Sequence, residues 1–110
     1  MATIKSVPGS LSAATPPFPE YCDSIALGTA AAESWTVPAG VKWVIISVLG
    51  DAVWVKADGT AVVPTDVSDG TAPFAIPANG SFQIEVPSSG TLSFIRNSAA
   101  AVVSIACWNA

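Results

Sequence analysis

Residues 35–57 read W-T-V-P-A-G-V-K-W-V-I-I-S-V-L-G-D-A-V-W-V-K-A, and this stretch decides the fold. Its centre, residues 41–49, holds seven apolar side chains in nine, most of them β-branched or aromatic. Such a run suits a pleated, buried surface far better than a helix. As a strand it spans ~30 Å at ~3.4 Å per residue. Gly50-Asp51 then offers a two-residue connection, with glycine where a hairpin needs positive φ. The sequence thus predicts a hairpin, with residues 52–57 as the returning strand. Val41, Trp43, Ile45 and Leu49 point to one face, and Val44, Ile46 and Val48 to the other. Only Lys42 and Ser47 are polar, so both faces are expected to be covered, one of them by the chain's own loops or by another subunit.

Outward from this stretch, short apolar runs alternate with turn signals, the pattern of an all-β sandwich. Residues 25–30, 33–37, 60–63, 73–76, 81–86, 91–96 and 102–108 read as further strands. Val37-Pro-Ala-Gly40, Ile76-Pro-Ala-Asn-Gly80 and Val86-Pro-Ser-Ser-Gly90 punctuate them. In each, proline withholds the N–H that would continue a ladder, and glycine lets the chain turn. Phe82, Ile84 and Val86 alternate with Ser81, Gln83 and Glu85, a half-buried strand. The expected fold is an antiparallel, jelly-roll-like β-sandwich of about eight strands over residues 25–110.

Residues 1–24 read differently, with four prolines and no apolar periodicity. Pro16-Pro17-Phe18-Pro19 continues neither helix nor central strand and favours extended geometry. The segment is expected to be an extended arm that drapes over a neighbour, anchored by Ile4, Val7, Leu11, Phe18 and Tyr21. With Val44, Ile46, Val48 and Trp54, these are the candidate interface residues.

Composition narrows the function. Only 11% of residues are charged, against a usual ~25%. A surface with so few charges relies on small polar residues or is hidden in an assembly. Four scattered basic residues and a net charge of −4 argue against nucleic acid and against a basic membrane-binding helix. The longest apolar run is about half of the ~18 residues that a membrane span needs. Met1-Ala-Thr-Ile-Lys5 leads into Ser and Pro rather than an apolar signal core, so synthesis in a cytoplasm is expected. Cys22 and Cys107 then read as free thiols rather than a disulfide.

Histidine is absent, which removes Ser-His-Asp, Cys-His and histidine-ligated metal chemistry. No P-loop or dinucleotide fingerprint is present. A carboxylate pair is the one catalytic arrangement left, but the acidic residues sit mostly in turn contexts, and no enzyme activity, cofactor or metal is expected. The Asp66-Val-Ser-Asp69-Gly70 stretch has the composition of a tight loop and lacks the spacing of an EF-hand. Four tryptophans, Trp35, Trp43, Trp54 and Trp108, fit core or subunit packing, with sugar stacking as the competing role.

The stretch V-P-A-G-V-K-W-V-I-I-S-V-L-G-D-A-V-W-V-K-A-D-G-T-A-V-V-P, followed by F-A-I-P-A-N-G-S-F-Q-I-E-V-P and S-I-A-C-W, resembles small virion proteins of tailed bacteriophages. The similarity is to capsid decoration, or cement, proteins and related β-sandwich modules, and covers residues 35–108. It implies a jelly-roll-like domain, often a homotrimer, seated on the major capsid protein at the outer surface of the head. A carbohydrate-binding module of a phage tail or fibre is the alternative, and it would need exposed tryptophans.

Overall fold

The computed structural model describes residues 4–6, 17–86 and 90–109, and its described part contains strands and no helix. The strands are β1 (Lys5–Ser6), β2 (Tyr21–Leu27), β3 (Glu33–Thr36), β4 (Trp43–Gly50), β5 (Val53–Ala57), β6 (Phe74–Ile76), β7 (Ser81–Glu85), β8 (Thr91–Arg96) and β9 (Ala101–Asn109). β2 pairs with β9, β3 with β8, β4 with β7 and β5 with β6, all antiparallel. The chain is therefore one long hairpin, with residues 58–73 at its tip, rolled so that successive pairs fall alternately into two sheets. Cross-pairs β4–β9 and β5–β8 close each sheet. The resulting orders are β2-β9-β4-β7 and β3-β8-β5-β6, the nested arrangement of a jelly roll, as expected.

Residues 35–57 are not a hairpin. β4 and β5 lie in different sheets, and residues 50–52 carry the chain from one to the other. β4 finds a longer partner in β9, with which it is in register along all eight of its residues, than five-residue β5 could offer. Val44, Ile46 and Val48 thus share one buried cluster with Val53 and Val55 of the opposite sheet. Gly50 has φ +109°, and its N–H donates to Asn79 Oδ1 at 3.1 Å.

Residues 60–63 form no strand. Both ladder sides of β5 are already taken by β8 and β6, so the tip loop instead crosses the outer face of that sheet. There Ala61 is buried and donates its N–H to Ser93 Oγ, and Lys56 Nζ donates to the Thr71 carbonyl. Two of the proline-marked turns close as the sequence suggests: Val41 N–H donates to the Pro38 carbonyl and Gly80 N–H to the Pro77 carbonyl. The third, at 87–89, lies outside the described residues.

The boundary at residue 25 also moves. β2 begins at Tyr21, so residues 21–24 belong to the sandwich rather than to an arm. Upstream, Lys5 and Ser6 pair in parallel with Trp108 and Asn109, continuing along β9 where β2 ends. Residues 17–19 lie against Trp108, whose indole Nε1 donates to the Pro17 carbonyl at 3.0 Å. The described parts of residues 1–24 rest on their own domain, through backbone pairing and burial that the absence of periodicity had hidden.

Candidate docking face

The distinctive surface is the outer face of the β2-β9-β4-β7 sheet, and register builds it row by row. Cys22, Ala106, Ile45 and Gln83 form one row across four strands. Ser24, Ser104, Ser47 and Ser81 form the next, and Ala26, Val102 and Leu49 a third. None of the three rows carries a charge. Leu49 is 60% exposed on this face.

A row with Trp108, Trp43 and Glu85 bounds the face on one side. The two indoles are buried and stack with centroids 4.5 Å apart and planes 13° from parallel. Offset aromatic stacking of this kind adds ~0.5–1.5 kcal/mol beyond burial itself. Pro17, Phe18 and Pro19 run beside the stack, and between them and the sheet lies an open groove of about 390 Å³. Ile45, Ser47, Ser104 and Ala106 floor it, so the groove belongs to the charge-free face. Phe18, 86% exposed, stands at its rim.

The candidate interface residues do not form one patch. Phe18 is on this face. Ile4 and Tyr21 are half-buried and pack against the chain's own core. Val7 and Leu11 lie outside the described residues. Val44, Ile46 and Val48 are fully buried between the sheets, so an assignment to a partner interface is corrected: the second sheet already covers them. Trp54 is half-buried on the outer face of the other sheet, where its Nε1 donates to Asn97 Oδ1 at 3.1 Å. The residues that sequence reasoning missed are Ile45, Ser47, Leu49, Ser104 and Ala106. Ser47, the lone polar residue inside β4, was the available signal for which side faces outward.

Trp35, Trp43 and Trp108 are buried, and Trp35 Nε1 donates to Asp23 Oδ2 at 2.7 Å. None of these three rings offers a free face to a sugar. The cysteines sit on opposite faces of the sheet, because Tyr21 rather than Cys22 is opposite Cys107. Both are free thiols, Cys22 exposed and Cys107 buried. Burial pushes the Cys107 thiol up to about 12, which leaves Cys22 as the reactive one.

Several aspartates are engaged in shaping loops. Asp51 Oδ2 accepts from the N–H groups of Ser98 and Ala99 and from Ser98 Oγ. Asp58 Oδ1 accepts from Thr91 N–H, and Asp69 Oδ1 from Thr71 N–H and Oγ1. Among the described residues, no three His, Cys, Asp or Glu side chains cluster in a way that could hold a metal ion. No protein-family model, curated protein or solved structure matches this chain.

Proposed function

We propose that this protein is a non-enzymatic virion component that docks through the outer face of the β2-β9-β4-β7 sheet onto the major capsid protein and stabilises the phage head. The observation that carries the reading is the set of three charge-free rows with Leu49 and Phe18 exposed at their margin. Charged residues are depleted at the centres of protein interfaces, and Leu49 and Phe18 add exposed apolar area to this uncharged face. The resemblance of residues 35–108 to capsid decoration proteins supplies the kind of partner.

Purified protein mixed with phage heads that lack it should co-sediment with them, and mass spectrometry should find it in finished virions. Leu49→Asp or Ser47→Lys, each placing a charge on the face, should reduce binding at least tenfold. Undiminished binding by both variants would remove the docking role from this face. Glycan-array binding by a protein that ignores the heads would replace the reading with carbohydrate recognition.

A further inference from the structure

A sheet edge presents unpaired N–H and C=O groups, and soluble proteins blunt such edges with shortness, charge, proline or cover. The edges here are β2 and β7 in one sheet and β3 and β6 in the other. β6 has three residues between Pro73 and Pro77. β3 has four and carries exposed Glu33. β7 has five, ends on exposed Glu85, and is followed by Val86 and Pro87.

β2 breaks the rule. Pro19 and exposed Glu20 precede it, but its own seven residues contain no proline, lysine or arginine. Its outward side chains, Cys22, Ser24 and Ala26, are small, uncharged and exposed. Its one charged residue, Asp23, lies on the inward side and accepts the Trp35 indole N–H. β1 continues along β9 beyond the end of β2 rather than covering its outer side. Among the described residues, no backbone hydrogen bond reaches that side.

We infer that β2 pairs antiparallel with β2 of a second copy of this chain, with Ser24 opposite its own counterpart. Three features favour a second copy over another partner. A two-fold axis through Ser24, the middle residue of Tyr21–Leu27, overlaps all seven residues of both strands. It sets Asp23 opposite the counterpart of Ile25, whereas an axis through Asp23 would oppose two carboxylates, which is unfavourable. Chains of net charge −4 also meet where their outward side chains carry no charge. The two sheets then join into one that is eight strands wide along the serine row, which continues unbroken from Ser81 of one copy to that of the other. An isologous contact of this kind closes at two subunits. The inference does not rest on the capsid reading, because it is tested in solution without phage heads.

Size-exclusion chromatography with light scattering at high micromolar concentration should give twice the 11.1 kDa chain mass. Ser24→Lys places two ammonium groups at the two-fold axis and should yield a monomer whose melting in dilute solution matches wild type. Register is read independently by cross-linking. Cβ atoms directly opposite are ~4.5–5.5 Å apart, near disulfide reach. The two copies of Cys22 would stand about 14 Å apart, being four residues out of line at ~3.4 Å each. Ser24→Cys combined with Cys22→Ala should therefore form an intermolecular disulfide on mild oxidation, and wild type should not. A wild-type monomer or trimer, a Ser24→Lys dimer, or equally ready cross-linking through Cys22 would each overturn the pairing. Should Ser24→Lys fail to fold, the cross-linking pair still decides the matter.

Discussion

Two neighbouring residues hold the crossing between the sheets, and each makes a separate prediction. At Gly50, a Cβ would lie 2.7 Å from the Ala100 carbonyl oxygen, on a backbone whose φ is +109°. Gly50→Ala should cost ~1–3 kcal/mol from the backbone strain alone, before the clash is relieved. Thermal melting should fall by roughly 4–8 °C for each kcal/mol in a domain near this size. At Asp51, the hydrogen bonds from Ala99, Ser98 and Ala52 hold the carboxyl down at about 2, below its ordinary 3.8. The unfolded chain takes up this proton first, so the carboxylate's contribution is complete above pH 3.8 and is lost as pH falls toward 2. Asp51→Asn removes the charge at nearly constant shape. The stability gap between wild type and Asp51→Asn should accordingly narrow on acidification through that window, as followed by denaturant melts at successive pH values. A gap independent of pH would mean that the carboxylate does not bracket residues 98–99.

Among the elements, the β4–β9 seam shows best what a sequence can and cannot disclose. Trp43 is buried as its apolar run suggests, yet it lies on the outer side of its sheet, stacked on Trp108 rather than in the main core. Trp43→Ala should destabilise by ~3–5 kcal/mol, as truncation of a buried large aromatic does. It should also free the Trp108 ring and change its fluorescence. A melting point within a degree or two of wild type would contradict that packing. Strands such as β7 and β8 were legible because local alternation or clear turn residues mark them. The partner of β4 was not, since Gly50-Asp51 looks the same whether the chain folds back in one sheet or crosses to another. Length of register with β9, some 50 residues away in sequence, decides between them. Val62 and Val63 misled for a related reason: β-branched residues form a strand only where a ladder side is free. The docking face was half-legible, for Ser47 marks the outward side of β4, but the serine row exists only once four strands are in register.

At the scale of the whole molecule, β9 is the spine on which both ends of the chain converge. It pairs with β4 on one side and with β2 and β1 on the other. The Asn109 side-chain amide donates to the Ile4 carbonyl, and the Trp108 indole to the Pro17 carbonyl. These contacts make the N-terminal segment part of the domain's stability rather than a passive tail. Removing residues 1–19 deletes two-residue β1, the Ile4 contact with the core and the carbonyl that satisfies Trp108 Nε1. A buried indole N–H left without a partner is itself unfavourable by ~1–3 kcal/mol unless water reaches it. The truncation is therefore expected to lower the melting temperature of the isolated domain. The same truncation opens one wall of the groove and removes Phe18 from its rim, so head binding should weaken further than the stability loss explains. Trp108→Phe separates the two effects, since it keeps an aromatic ring beside Trp43 while releasing Pro17. If the truncated domain melts with the full-length protein, residues 4–6 and 17–19 are not braced on β9. If it melts lower yet binds heads undiminished, the strap supports the fold and takes no part in docking.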